Sequence, residues 1–233
     1  MSQLNKKENV RNMFAGISRR YDFLNHLLSL GLDKYWRRFA VSKLPSGYIL
    51  DVCSGTGDVA IEVSKNNSVI ASDFCYEMLQ LCMLKIKDED IRNINCIQND
   101  AENLSFKNGV FDGAIVAFGI RNVADISKAL SEMKRVVRKG GKVVILEFSL
   151  PGNVIFKFIY YIYFKKILPA IGALVSWKKG AYSYLPSSVT AFPKRNEFVG
   201  LMKDAGFSKV EYFDLTFGIV TVYVGEVTTG EIE

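Results

Sequence analysis

His26 is the only histidine in 233 residues, and that scarcity removes whole classes of chemistry. With one imidazole and four cysteines (Cys53, Cys75, Cys82, Cys96) that form no CxxC pair, no zinc-ligand set can be assembled from familiar spacings. No metal is expected. The cysteines read as reduced thiols of a cytosolic protein rather than as a disulfide framework. Met1 to Asn9 is polar, with no apolar stretch that could act as a secretory signal, so a cytoplasmic location is expected. Long uncharged apolar runs are missing too. The most apolar segment, Val154 to Trp177, is broken by Lys157, Lys165, Lys166 and Pro169, and falls short of the roughly 18–20 residues a spanning helix requires.

What is present is unevenly distributed. Residues 1–45 carry nine Lys/Arg against three Asp/Glu, and residues 150–195 carry seven against none, leaving the rest of the chain acidic. Such asymmetry points to an anionic partner for the basic parts, either a membrane surface or nucleic acid. From Tyr48 onward, short apolar runs alternate with helical patterns, the signature of βαβ units. Strands are predicted at Tyr48–Val52, Val69–Ser72, Ile94–Gln98, Gly113–Ala117 and Val143–Glu147. Helices are predicted near Asp58–Ser64, Tyr76–Ile86, Asp125–Val137 and Lys194–Ala205, the third of these stopped by Lys139-Gly140-Gly141. Two last strands, Lys209–Asp214 and Ile219–Val224, are joined too tightly for a parallel crossover and should form an antiparallel hairpin. The expected fold is α/β: a Rossmann-like, mostly parallel seven-stranded sheet with its last strand antiparallel, as in class I methyltransferases. One structural domain is expected, divided into a helical cap (1–45), a cofactor-binding core (46–150), a helical insertion or lid (151–193) and a closing helix and strand pair (194–233).

The first strand runs into Asp51-Val52-Cys53-Ser54-Gly55-Thr56-Gly57-Asp58 and then directly into a helix. Glycines there let the backbone turn tightly and let a ligand approach the helix start. Gly55-x-Gly57-x-x-Ala60 also fits a dinucleotide fingerprint. Charge separates the two readings. Asp51 and Asp58 would repel a pyrophosphate but attract the ammonium and sulfonium of S-adenosylmethionine; Asp58 also suits a helix start for purely structural reasons. Asp73, at the end of the second strand, can accept both ribose hydroxyls. Asn99-Asp100-Ala101 follows the third strand and offers a carboxylate for the adenine amino group and a backbone amide for a ring nitrogen, although a plain turn would look the same.

Several separated motifs resemble the ubiquinone/menaquinone biosynthesis C-methyltransferase family. They are Tyr21-Asp22-x-x-Asn25 with Ser29-x-Gly31 and Trp36-Arg37, the loop Asp51 to Asp58, and Phe118-Gly119-Ile120-Arg121-Asn122 with Asp125. Glu147-Phe148-Ser149-x-Pro151, Tyr182-x-Tyr184-Leu185-Pro186-x-Ser188 and Phe192-Pro193 complete the set. The resemblance implies that Thr56, Asp73, Asp100 and Ala101 contact S-adenosylmethionine. It also implies that the acceptor is a prenylated quinol, demethylmenaquinol or a polyprenyl-benzoquinol. The chain departs from the wider superfamily at Cys53, often glycine, and at Ala117, where some members carry a serine beside the cofactor.

A ring carbon is a poor nucleophile until a neighbouring hydroxyl ionises, and phenols titrate near ~10 in water, so a local cation must favour the phenolate. Arg121, just beyond the fourth strand, is the candidate. An arginine stays protonated, so its part is electrostatic stabilisation or orientation of a water, with Asn122 orienting the ring oxygen. The alternative is that Arg121 pairs with Asp125 to fix a loop. Tyr21 could close over the ring as a hydrogen-bond partner or simply pack in the core. An imidazole is chemically suited to be a base at neutral pH, which makes His26 a candidate, but its position varies among similar proteins.

The insertion mixes Phe156, Ile159, Tyr160, Tyr163, Phe164, Ile167 and Leu168 with Lys157, Lys165, Lys166, Lys178 and Lys179. That mixture suits peripheral attachment to an anionic membrane on its inner face; a lid packed on the core is the structural alternative. No nucleic-acid partner is expected, since no Asn-Pro-Pro-Tyr motif follows the fourth strand. A homodimer or a complex of quinone-synthesising enzymes is compatible with the sequence. Competing functions are an RNA or other small-molecule methyltransferase, a nicotinamide oxidoreductase and a non-catalytic cofactor-binding scaffold.

Overall fold

In a computed structural model of the chain, residues 7–16, 18, 26, 29–153 and 179–228 are described. Helix α1 covers 7–16 and α2 covers Leu32–Val41. The alternation then begins: β1 (Tyr48–Val52), α3 (Asp58–Ser64), β2 (Ser68–Asp73), α4 (Tyr76–Asp88), β3 (Ile94–Gln98), β4 (Phe111–Ala117), α5 (Ile126–Val136) and β5 (Val137–Phe148). After residues 154–178, which lie outside the described set, come α6 (Lys179–Ala191), α7 (Arg195–Asp204), β6 (Ser208–Leu215) and β7 (Val220–Glu226). Seven strands form one sheet in the order β3-β2-β1-β4-β5-β7-β6. All neighbours from β3 to β5 are parallel, whereas β7 runs antiparallel to both β5 and β6.

The sheet is covered on both faces, which is why its central strands are apolar almost without interruption. Successive residues of β1 serve opposite layers: Leu50 joins Val116, Ile145, Leu130, Met133, Phe198 and Met202 on the α5–α7 side. Ile49 joins Trp36, Ala60, Val69, Cys82, Ile115 and Val144 on the side of α2, α3 and α4. Every one of these residues is buried. The alternation is the period of two expected of a strand, applied to a strand buried on both faces.

One predicted boundary is corrected. Lys139-Gly140-Gly141 does not stop the third predicted helix; α5 already ends at Val136, and the three residues lie inside β5. Val137 pairs with Phe111, and the register then shifts so that Lys142 faces Gly113. Gly140 takes a left-handed φ of 78°, and Gly141 presses so close to β4 that a methyl group there would stand 2.4 Å from the Asp112 carbonyl oxygen. The glycines serve an irregular strand rather than a helix cap.

Two contacts fix the open ends of β1, β4 and β5, where ligands bind in doubly wound sheets. Trp36 donates from its indole to Thr216 at 2.7 Å and meets the rings of Phe118 and Phe148 edge-on. Arg195 donates to the carbonyls of Leu150 (2.9 Å) and Gly218 (2.8 Å) and to Asp214 (2.6 Å), tying the exit of β5 to the β6–β7 turn. Among the described residues no helix is long and apolar enough to cross a membrane.

Candidate functional site

The turn after β1 is built from left-handed residues: Cys53 at φ 54°, Gly55 at 57° and Gly57 at 87°. Gly57 cannot be replaced without movement, because a methyl group there would lie 2.3 Å from the Cys82 sulfur of α4. Cys53 adopts a conformation that glycine favours. Opposite this turn, at the end of β2, Asp73 accepts the N–H of Gly55 with one carboxylate oxygen and that of Cys75 with the other, both at 2.8 Å. Each oxygen keeps a further lone pair for a ligand. Burial pushes the Asp73 carboxyl above its ordinary range, against the pull of the Cys75, Gly55 and Phe74 N–H groups.

Gly55, Asp73, Asp100, Ala101, Ala117 and Asn122 line a single cleft enclosing about 780 Å³ of free space, part of it open to solvent. The third-strand turn is held by Asn99, whose side-chain oxygen accepts the Asp100 N–H at 3.1 Å and whose amide donates to Ser105 at 2.9 Å. Asp100 accepts the N–H of Glu102 at 2.9 Å. Its other oxygen is occupied from across the cleft by Lys7, a residue that lies in none of the sequence motifs. Lys7 Nζ is 2.7 Å from Asp100 and 3.0 Å from Glu102, so α1, with Val10, Arg11 and Phe14, forms one wall.

Asp51 and Asp58, the acids that flank the turn after β1, do not line the cleft. Thr56 is buried, and neither it nor Gly57 nor Asp58 lines the cleft. Asp58 is paired with Lys85 at 2.7 Å and Arg37 at 3.3 Å; burial raises its pKa, but these two cations outweigh it and hold the carboxyl low. Asp51 is fully buried, and neither of its oxygens has a hydrogen-bond partner among the described residues. Desolvation and then the nearby Asp73 push its pKa well up. His26 Nδ1 is 2.7 Å from Asp33, which also accepts from Ser29 at 2.6 Å and from Arg37. His26, Asp33 and Asp58 are close enough to suggest cation ligands, but the Arg37 guanidinium already bridges the two carboxylates.

Beyond β4 the chain turns at Phe118, whose φ of 56° is an outlier for a bulky residue and costs of order 1–3 kcal/mol. That turn aims the Phe118 carbonyl at the next two functional side chains. Arg121 Nη1 donates to it at 2.5 Å and Asn122 Nδ2 at 3.3 Å. Arg121 does not meet Asp125, which instead caps α5 by accepting the Lys128 N–H at 3.0 Å. Its partner is Glu147 of β5, at 2.7 Å, in an ion pair whose side chains are 6% and 0% exposed. Arg121 Nε is buried with no hydrogen-bond partner among the described residues. Tyr184 of α6 donates to the Asn122 side-chain oxygen at 3.0 Å. Tyr21 lies outside the described residues. Neither Glu147 nor Tyr184 has a role assigned from sequence, although each lies in a motif shared with the family that the chain resembles, and Glu147 is a charge closing the apolar run of β5.

A sheet of this order, closed by an antiparallel strand and carrying a glycine turn with acids after its second and third strands, defines a Rossmann-like methyltransferase. The structure of a methyltransferase dependent on S-adenosylmethionine from Thermotoga maritima matches with a TM-score of 0.68 at 19% identity, covering 94% of this chain and 100% of that one. Phosphoethanolamine N-methyltransferase 2 of Haemonchus contortus, solved with S-adenosylmethionine, matches with a TM-score of 0.62 at 14% identity, over 82% of this chain and 52% of that one. Within this class, the chain belongs to the ubiE/COQ5 methyltransferase family, whose model matches residues 1–226. It is 49% identical to the ubiquinone/menaquinone biosynthesis C-methyltransferase UbiE of a Geobacter species, covering 94% of this chain and 97% of that protein. It is 42% identical to the demethylmenaquinone methyltransferase of Deinococcus radiodurans, covering 95% and 93%.

Proposed function

We propose that the protein transfers a methyl group from S-adenosylmethionine to a ring carbon of a demethylated, prenylated quinol in quinone biosynthesis. The observation that carries this reading is that Phe118, Gly119 and Asn122, just beyond β4, line the same cleft as Asp73 and Asp100, with Arg121 buried between Phe118 and Glu147 next to them. The cleft suits the cofactor: Asp73 offers free lone pairs to ribose hydroxyls, and Asp100 and Ala101 offer an acceptor and an amide to adenine. Asp51 is buried beneath the turn that Gly55, Thr56, Gly57 and Asp58 form; its carboxyl holds a proton in the resting protein, and a cation bound above it would favour the ionised form. Ala117 supplies only apolar contact.

S-adenosylmethionine supplies an electrophilic methyl group on a sulfonium. The chain's own residues must make the ring carbon reactive. Arg121 brings a permanent positive charge, and its orphan Nε–H can bind a phenolate oxygen or a water that carries the proton away. Asn122, held through its oxygen by Tyr184 and with its amide on the Phe118 carbonyl that Arg121 also meets, is the proposed partner for the ring oxygen. Tyr21 is the proposed third contact to the ring.

The quinol's prenyl tail lies in the bilayer, so the basic, apolar segment within 151–193 is proposed to rest on anionic lipid and receive the substrate there. Incubation with labelled S-adenosylmethionine and either a demethylated quinol or transfer RNA tests the function: label in the quinol alone supports it, and label in RNA overturns it. Arg121→Ala should bind cofactor normally and turn over ~10²-fold more slowly. Salt-sensitive sedimentation with anionic vesicles, lost on Lys165→Glu with Lys166→Glu, tests the membrane contact.

A further inference from the structure

A carboxylate in the middle of a sheet is costly to desolvate, and Glu147 has no exposure at all. It stands near the end of β5, between β4 and β7, and nothing about sheet packing calls for a charge there. Its three contacts lead to one place. Oε1 accepts from Arg121 Nη1 at 2.7 Å and from the Phe148 N–H at 2.8 Å, and Oε2 faces the Arg121 backbone N–H at 3.4 Å. The next residue continues the grip, since the Phe148 ring lies 5.5 Å from the Arg121 guanidinium carbon.

We propose that Glu147 is the positioning residue for Arg121, gripping its side chain and facing its backbone N–H so that the guanidinium is fixed before a quinol binds. This rests on the reading that Arg121 stabilises the quinolate. A guanidinium is a rigid planar fork, so fixing Nη1 between Glu147 and the Phe118 carbonyl also fixes where Nε points. Charge that is already oriented costs no reorganisation when the phenolate forms. The same pairing keeps the resting site neutral, so Arg121 can be buried without a second anion. Burial pushes the Glu147 carboxyl up and Arg121 opposes this, consistent with a carboxylate that needs its partner.

The test is a mutant cycle read in kcat and in KM for S-adenosylmethionine. Glu147→Gln should lower kcat about tenfold or more with KM for the cofactor unchanged. If Glu147 acts only through Arg121, the double variant Glu147→Gln with Arg121→Ala should turn over no more slowly than Arg121→Ala alone. Losses that multiply, or a folded Glu147→Gln with wild-type kcat, overturn the proposal. Should Glu147→Gln fail to fold, Glu147→Asp replaces it: the charge stays but the reach shortens, so kcat falls if position matters and stays at wild type if Glu147 is only a counter-ion. Wild-type turnover in Arg121→Ala overturns the underlying reading instead, which keeps the two failures distinct.

Discussion

Lys7 and Asp100 stand 93 residues apart in sequence and 2.7 Å apart across the cleft proposed to hold the cofactor. The lysine thus holds the carboxylate proposed to receive the adenine amino group, and cofactor entry has to displace it. Their side chains are 23% and 30% exposed, so the contact is weak, on the order of 0.2–1 kcal/mol. Lys7→Met should therefore speed association of S-adenosylmethionine by up to about fivefold, measured by stopped-flow fluorescence. An unchanged rate would remove Asp100 from the adenine site.

Asp73 carries more. Asp73→Ala removes the acceptor proposed for both ribose hydroxyls and strands the N–H groups of Gly55 and Cys75. Hydrogen bonds to a charged group are worth roughly 1.5–3 kcal/mol each, so affinity for S-adenosylmethionine should fall by about 10² or more. Calorimetric titration of the folded variant decides it, and an unchanged affinity would place the ribose elsewhere.

Gly119 packs against the cofactor turn. A methyl group on it would stand 2.5 Å from Cys53 Cβ and 3.1 Å from Val116 Cγ2. Gly119→Ala should destabilise the protein by about 1–3 kcal/mol. Adding Cys53→Gly removes the clashing atom and relieves the left-handed φ at Cys53, so the double variant should recover most of the loss. Urea unfolding of the single and double variants checks this, and additive losses would contradict it.

Asp51 makes stability depend on pH in a defined direction. Its folded pKa is raised, so the native state keeps a proton that the unfolded chain has already released. Its contribution is present below the unfolded pKa and is lost as pH rises through the folded pKa. Asp51→Asn cannot ionise, so its stability relative to wild type should increase as pH rises from about 4, the unfolded value, toward neutrality. Parallel denaturant melts across that range would refute the direction if the difference stayed flat. The same variant should bind S-adenosylmethionine more weakly.

Much of the scaffold is legible without coordinates. The bounds of β1 and β3 coincide with the predicted runs, because an apolar stretch between a turn and a glycine or acidic stop leaves little choice of ends. The start of β5 was not legible. Val137-Arg138-Lys139-Gly140-Gly141 looks locally like the end of a helix, and only pairing with Phe111 and close approach to Asp112 make it a strand.

The cleft divides the same way. Gly55, Asp73, Asp100, Ala101 and Asn122 could be read as a site because each follows a strand at the same end of the sheet, and strand order alone brings those ends together. The sequence by itself therefore determined the sheet, the cofactor turn and the family. The partner of Arg121 was decided by tertiary structure: Asp125 is nearest in sequence, yet the adjacency of β4 and β5 delivers Glu147, 26 residues away, as a buried counter-ion. Lys7 at Asp100 belongs to the same category. Local patterns record which face a residue prefers, whereas the choice between two available charges depends on which one the fold desolvates beside it.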